Sequence, residues 1–208
     1  MQSSLLPLFP LEAVAFPGLA LPLHIFEERY KEMVGDAIQA GSEFGIVLAR
    51  EEGIVNSGCT VVVEQVVHRY DDGRMDIVTR GRRRFEILSL NDELAYLRGE
   101  VEFFDDDDPG PAAPDVRERV LAQFRALGEI TERSGDEPAP DTPQISFFLA
   151  QAIPDLNFRQ TLLSSRSEPD RLKQISAFLA DFVPRQRLAA RRRRLAPTNG
   201  HGLHPPGL

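Results

Sequence analysis

The segment GCTVVVEQVVHRYDDGRMDIVTRGRRRFEIL, residues 58–88, has the pattern of a long β-hairpin. Two runs rich in β-branched residues, 59–70 and 75–79, flank the turn sequence DDGR at 71–74. Glycine and aspartate between two such runs are typical of a hairpin turn. The sequence therefore predicts a sheet whose centre is this hairpin.

Most of the first 105 residues have strand-like patterns as well. Prolines interrupt the apolar run at 5–18, which favours short strands separated by bends. Apolar runs at 44–49, 85–90 and 96–104 bring the expectation to about six strands. One helix is predicted among them, ending at Gly41, with a stripe formed by Phe26, Tyr30, Met33, Val34, Ala37 and Ile38. Since βαβ alternation is absent, we expect a mostly antiparallel sheet that curls towards a barrel.

The acidic and proline-rich segment 105–114 predicts a boundary. Four adjacent aspartates repel one another, so solvated carboxylates are expected at 105–108, without the spacing of a calcium loop. Apolar residues at helical spacing then predict a helical bundle, in which Pro184 should kink or interrupt the last helix. The predicted division is a β domain at 1–108, a linker at 109–114, a helical bundle at 115–195 and a disordered tail at 196–208.

Composition and charge exclude several classes of protein. The 208 residues include one cysteine and four histidines, so neither a disulfide framework nor a metal site is expected. No apolar run approaches the ~18 residues of a membrane span, and the chain is predicted to be soluble and cytoplasmic. Residues 1–111 hold 10 basic and 21 acidic residues, which argues against nucleic-acid binding by this half. The remaining residues carry a small positive excess, including Arg191, Arg192, Arg193 and Arg194.

The order of these features resembles the N-terminal substrate-recognition domain of the ATP-dependent Lon proteases. The matching strings are PLFPLEAVAFPGLALPLHIFEERYKEMV, EFGIVLAREEG and the hairpin segment at 58–88, with the motifs L-P-L-x-I-F-E-x-R-Y, D-G-R and G-x-x-R-F. The later string ISFFLAQAIPDLNFRQTLLSSRSEPDRLKQISAFL resembles the helical part of the same family. The resemblance covers roughly residues 5–183 and implies an α+β fold: a PUA-like pseudo-barrel followed by a helical bundle.

The sequence departs from complete Lon enzymes in its catalytic motifs. It contains no G-x-x-x-x-G-K-[ST] motif, so no phosphate-binding loop and no ATP cofactor are predicted. Its two lysines, Lys31 and Lys173, are expected on exposed helix faces, where neither has the lowered pKa that a catalytic dyad needs. We therefore predict a chain that is not an enzyme and has no catalytic residues.

Other reactive side chains have simpler interpretations. His24 is expected to open the first helix beside Glu27 or Glu28, in a packing or capping role, and His68 to lie on the surface. Cys59 is expected to be a small buried residue. The cluster Arg80, Arg82, Arg83 and Arg84 is expected to pair internally with Asp71, Asp72, Asp76 and Glu86, although PUA-like barrels elsewhere can bind RNA.

Three phenylalanines form the predicted peptide-binding site. Phe103 and Phe104 are adjacent on a strand and must point to opposite faces. Phe147 is expected beside, rather than within, a helical stripe that contains Phe148. Either these rings pack the two domains together, or they line an apolar crevice for an extended segment.

The predicted function is a non-enzymatic protein- or peptide-binding module, with an adaptor or quality-control role. Its expected partners are unfolded or extended polypeptides, with a protease acting in trans as a further candidate, and no membrane. The alternative is an RNA-binding protein that uses the pseudo-barrel and the basic segment Arg191–Arg194. An uncharacterised hydrolase is a third candidate.

Overall fold

The computed structural model describes residues 5–131, 138 and 142–195, without the side chains of 193–195. The strands are β1 (Leu6–Leu11), β2 (Ala20–Ile25), β3 (Phe44–Arg50), β4 (Gly53–Arg69), β5 (Met75–Asn91) and β6 (Arg98–Phe104). The helices are α1 (Glu28–Ala40), α2 (Pro114–Thr131), α3 (Ile145–Ala150), α4 (Leu156–Ser164) and α5 (Glu168–Leu195). We call the described residues up to 104 the β lobe and α2–α5 the helical lobe. The predicted disordered tail at 196–208 lies outside the described residues.

The six strands form one mixed sheet that closes on itself. The order β2-β5-β4-β3-β1-β6 has an additional β5–β6 pairing, so that β1, β3, β4, β5 and β6 make a ring and β2 extends it. Of the described pairings between these six strands, only β1–β3 is parallel. The expected α+β fold, with a mostly antiparallel pseudo-barrel and C-terminal helices, is confirmed.

Strand β5 reaches three neighbours because its two halves have different partners. Its first half pairs with β2, and its second half pairs with β6. Gly81 lies between the halves, where the backbone at Phe16 crosses closely: a Cβ added to Gly81 would lie 1.9 Å from the Phe16 carbonyl oxygen. The Gly81 N–H donates to the Leu19 carbonyl at 2.9 Å, which fixes this crossing.

Phe85 fills the inside of the ring of strands. Its side chain is fully buried with Leu8, Val47 and Ile87 in a small cluster that is separate from the main core. A Cβ on Gly45 of β3 or on Gly58 of β4 would lie 2.6 Å from the tip of the Phe85 ring. The phenyl ring of Phe85 thus extends across β4 as far as β3. A side chain can span two strands in this way only where the sheet is concave. The two glycines provide the space that this large side chain needs.

Helix α1 covers the outside of the β lobe. Its buried side chains are Tyr30, Met33, Val34 and Ala37, and Gly41 ends it in the left-handed conformation at φ 60°. The inclusion of Phe26 in the helical stripe is wrong, because the helix begins at Glu28 and Phe26 is 59% exposed.

Helix α5 runs through Pro184 without interruption for 28 residues. The expectation that Pro184 interrupts this helix is therefore wrong. The buried stripe of α5 ends at Val183. Because Pro184 has no N–H, the carbonyl of Ala180 lacks its usual helical donor, and Ala180 is exposed. Water can satisfy that carbonyl, so the helix tolerates the proline at this point.

We predict that Gly81→Ala lowers the free energy of unfolding by about 2–3 kcal/mol or more, because its methyl group collides with backbone that cannot move aside. The measurement is urea-induced unfolding followed by circular dichroism. Gly35→Ala in α1 is the matched control: its methyl group would meet nothing within 4 Å. That control should gain about 0.5–1 kcal/mol from helix propensity. Equal effects of the two substitutions would contradict the close crossing at Gly81.

Candidate functional site

A buried cluster of charged side chains joins the two lobes. Asp106 lies just after β6 with a side chain that is 1% exposed, between Arg84 of β5 and Arg171 of α5. Arg84 Nη2 donates to Asp106 Oδ1 at 2.6 Å, and Arg171 Nη1 donates to the same oxygen at 2.7 Å. With Ser146 and Glu168, these residues form what we call the interlobe cluster.

Every guanidinium donor of Arg171 in this cluster has an acceptor. Nε donates to Ser146 Oγ at 2.8 Å, and the two Nη atoms donate to Asp106, to Glu168 Oε2 and to the Ser165 carbonyl. The Glu168 carboxylate in turn accepts from the backbone N–H of Ser146 at 3.0 Å. Two arginines and two carboxylates balance in charge, which is the condition for burying such groups.

The expectation of a solvated acidic loop is wrong for Asp106. Burial by itself would raise the pKa of its carboxyl, but hydrogen bonds and charge from Arg171 and Arg84 outweigh burial and lower that pKa. The neighbouring backbone is also bound, since the N–H groups of Asp107 and Asp108 donate to the Arg166 carbonyl at 2.9 and 3.2 Å. The segment 105–108 therefore connects the lobes, and the proposed linker at 109–114 stays a prediction.

Phe104 and Phe147 pack against the interlobe cluster. The Arg84 guanidinium lies 4.7 Å from the centroid of the Phe104 ring, and that of Arg171 lies 4.3 Å from the centroid of Phe147. Phe147 is 1% exposed and stacks on Phe16 of the β lobe with 5.5 Å between ring centroids. The expected order of burial is reversed, because Phe148 is the partly exposed residue. This geometry favours the packing account for Phe104 and Phe147 over an open crevice.

Phe103 differs from these two rings in its surroundings. It is 41% exposed on β6, and the Arg83 guanidinium lies over its ring at 3.8 Å from the centroid. Arg83 is itself held by Glu43 at 3.1 Å. The ring of Phe103 is thus fixed from one side and accessible from the other, as a contact for an apolar side chain requires.

The arginines around Gly81 pair internally, but with partners other than those expected. Arg80 pairs with Glu64, Arg83 with Glu43, and Arg84 with Asp106. The expected partner Asp72 instead pairs with Arg74, and Glu86 pairs with Arg166 at 3.3 Å. These internal ion pairs reduce the positive charge that an RNA phosphate would meet at this surface.

The basic segment lies at the end of α5. Arg191 and Arg192 are exposed there, whereas the side chains of Arg193 and Arg194 lie outside the described residues. Nucleic-acid binding through these four residues stays a prediction.

The histidines and the cysteine have structural surroundings. His24 lies in β2 rather than in α1, and its Nδ1 is 2.6 Å from Asp76 Oδ1, so the expected pairing with Glu27 or Glu28 is wrong. Hydrogen bonds from His24 and Tyr70 lower the pKa of Asp76. The His68 ring, 4.3 Å from that of Tyr70, is exposed. Burial raises the pKa of the Cys59 thiol to about 12, which leaves it without nucleophilic thiolate at neutral pH.

The two lysines differ in exposure. Lys173 is 63% exposed, as expected, but Lys31 is only 14% exposed. Lys31 Nζ donates to the Asp72 carbonyl at 2.8 Å and to Glu28 at 2.7 Å, so it ties the hairpin turn to α1. Among the described residues, no group of three or more His, Cys, Asp or Glu side chains is arranged to hold a metal ion. No helix in this part of the chain combines the length and apolar character of a membrane span.

A family model for the ATP-dependent protease La (LON) substrate-binding domain matches residues 5–183. The chain belongs to this family. The resemblance seen in the sequence is thereby confirmed. The chain is also similar to the crystal structure of a Lon N-terminal domain protein from Xanthomonas campestris, with 28% identity and a TM-score of 0.68. That match covers 84% of this chain and 98% of the other.

Other relatives in the Lon family are longer or more distant. The N-terminal domain of Mycobacterium avium complex Lon protease has the same fold, with 19% identity, a TM-score of 0.62 and coverage of 86% of this chain and 99% of that one. Lon protease from Parabacteroides distasonis is 29% identical over 112 residues, which are 50% of this chain and 14% of the relative. Lon protease from Roseiflexus castenholzii is 23% identical over 235 residues, with 94% of this chain and 29% of the relative covered. The chain thus spans less than a third of the length of these proteases.

We predict that Asp106→Asn destabilises the protein by about 3–5 kcal/mol at pH 7, because two buried arginines lose a shared counter-charge. The folded-state pKa of Asp106 is lowered, so its contribution is present above the unfolded pKa of ~3.9 and is lost as pH falls through the folded value. The difference between wild type and variant in urea unfolding should therefore shrink below about pH 4.

Asp115→Asn is the control for this prediction. Asp115 pairs with Arg119 on the surface of α2, where the two side chains are 69% and 60% exposed. Its substitution should change stability by less than about 0.5 kcal/mol at any pH. A cost for Asp106→Asn as small as that of the control would show that the interlobe cluster does not stabilise the fold.

Proposed function

We propose that this chain is a polypeptide-recognition module that binds exposed apolar segments of unfolded proteins without hydrolysing them. The observation that carries the proposal is the match of residues 5–183 to the substrate-binding domain family, which takes in both lobes. That family is defined by substrate binding and not by proteolysis. The printed sequence also lacks the phosphate-binding motif that ATP hydrolysis needs.

The accessible ring of Phe103 supports this proposal. Apolar area that leaves water on binding contributes roughly 25 cal/mol per Å², and aromatic side chains supply the largest share at interfaces. Phe103 is fixed by Arg83 before any partner arrives, so little side-chain freedom is lost on binding. The apolar side chains of a client segment would therefore pack against a ring that is already held in position.

An adaptor role follows from the same proposal. The curated relatives named Lon protease include this region as a small part of their length. A client bound by this chain would be delivered to a protease that acts in trans. We infer from this partnership that the chain acts in the cytoplasm, where ATP is available to an ATP-dependent protease.

Binding is tested with a fluorescently labelled, reduced and carboxymethylated α-lactalbumin, which stays unfolded. Anisotropy should report binding of this client and not of native α-lactalbumin. Phe103→Ala should weaken binding about 5- to 30-fold, which is the effect of losing an interface aromatic, while Tm stays within a few degrees.

Phe26→Ala is the matched control, since Phe26 is equally aromatic and 59% exposed but lies beyond the end of β2. It should leave client affinity within about twofold of wild type. If wild type fails to bind the unfolded client, or binds the native form as well, the proposal is refuted.

The purified protein should hydrolyse neither ATP nor unfolded casein, because the sequence has no phosphate-binding motif and neither lysine is suited to a dyad. Lys173 is 63% exposed, and Lys31 is held by Glu28 and by the Asp72 carbonyl. Phosphate release and casein fragmentation are the measurements, with a complete Lon protease as positive control. Turnover that survives repurification and disappears with a point mutation in this chain would overturn the non-enzymatic assignment.

A further inference from the structure

The second half of β6 has an open edge. Strand β1 pairs with β6 only at Gly99 and Arg98, and β6 continues to Phe104. The Leu8 N–H donates to the Leu97 carbonyl at 2.8 Å, which sets the direction of the backbone groups along this edge. Since these directions alternate, the N–H and C=O groups of Val101 and Phe103 point away from β5. No residue that the structure describes pairs with them.

Two other open stretches of strand edge are protected. Pro22 in the middle of β2 has no N–H to offer, and the Ala20 carbonyl on that strand accepts from Gln151 Nε2 at 3.3 Å. The outer part of β4 is irregular in two places, between Val63 and Gln65 and between Val66 and His68. Prolines and bulges are the usual means of blocking strand addition. Residues 100–104 of β6 contain no proline, and the extra residue of the nearby bulge, Leu88, lies on β5.

The two faces of β6 differ in chemistry. Val101 and Phe103 lie on the same face because side chains alternate along a strand, and both are apolar. Glu100 and Glu102 lie on the opposite face, where both are exposed. Neither carboxylate forms an ion pair with any residue in the described part of the chain. Glu102 lies opposite Glu86, whose own carboxylate is already paired with an arginine.

We propose that an extended polypeptide segment, in which apolar side chains alternate with lysine or arginine, adds to β6 as a further strand. The inference rests on the proposed function and names the chemistry of the client segment. The segment's backbone pairs with the free groups of Val101 and Phe103. Its apolar side chains lie beside the Phe103 ring, and its cationic side chains lie beside Glu100 and Glu102.

The first test uses synthetic peptides, so the protein remains unaltered. A fluorescent peptide of about eight residues with alternating valine and lysine should bind, as measured by anisotropy. An isomer with all valines followed by all lysines should bind at least tenfold more weakly, because it cannot match both faces.

Backbone pairing is tested with two N-methylated versions of the alternating peptide. In an added strand only every second peptide N–H faces β6. Methylation of the valine nitrogens and methylation of the lysine nitrogens should therefore differ at least tenfold in their effect on affinity. The N-methylated peptide that binds more weakly also shows whether the added strand runs antiparallel or parallel to β6. If both isomers bind alike, whether tightly or not at all, strand addition is excluded.

The charged face is tested with the double variant Glu100→Gln, Glu102→Gln. It should bind the alternating peptide about tenfold more weakly at low salt, and its affinity should depend less on salt than that of wild type. Glu118→Gln, an exposed acid on α2, is the matched control and should leave both unchanged. Equal behaviour of the two variants would refute the role of the β6 carboxylates.

Other occupants of the edge give different results, each of which would overturn this inference. If the alternating peptide binds only after removal of residues 2–4, the chain's own first residues occupy the edge. If sedimentation shows a dimer that the peptide dissociates, a second copy of the chain occupies the edge. If the unfolded client of the previous section binds while the peptides fail, the β6 assignment is wrong and the proposed function stands. If the client fails as well, both are wrong.

Discussion

The arrangement of the molecule depends on the pairing of Asp106 with Arg84 and Arg171. Burying a charge costs several kcal/mol unless its partners satisfy it, and here one carboxylate from the loop after β6 serves arginines from both lobes. The cluster also holds Ser146, in the first turn of α3, through Glu168. Any relative movement of the lobes would expose or separate these charges. Such pairs define orientation more clearly than they add stability, since an apolar replacement of equal volume can be as stable.

Local patterns predicted most of the fold, whereas the contacts between lobes could not be derived from them. Side chains that alternate every two residues predicted the hairpin and the six strands, and apolar residues repeated every three to four residues predicted the stripe of α5. The role of Asp106 depends on Arg171, which is 65 residues away along the chain, and nothing in a run of four aspartates distinguishes the second. The reversal of Phe147 and Phe148 has the same origin, because Phe147 faces Phe16 of the other lobe. One signal was available: an arginine aligned with an otherwise apolar stripe, as Arg171 is beside Leu172 and Ile175, needs a buried acid.

The exposed and buried features of β6 are adjacent along the chain. Phe103 is exposed, Phe104 is 7% exposed against the arginines, and Asp106 follows two residues later within the interlobe cluster. The strand that would contact a client is therefore fixed at its end by the most deeply buried ion pairs of the described structure. A binding surface held in this way loses little conformational entropy when a segment adds to it. The recognition proposed for β6 therefore depends on the rigidity that the interlobe cluster gives to the end of this strand.

The charge balance of the β lobe indicates what kind of partner can meet it. Residues 1–111 contain 21 acidic and 10 basic side chains, and the structure uses Arg80, Arg83 and Arg84 to pair with acids of the chain itself. About half of the carboxylates in this half therefore have no arginine or lysine of their own half to neutralise them. Glu100 and Glu102 belong to this surplus, and they lie beside backbone groups that lack a hydrogen-bond partner in the described structure. A polyanion would be repelled at such a surface. A polypeptide that carries lysine or arginine supplies both the missing charge and the missing hydrogen bonds.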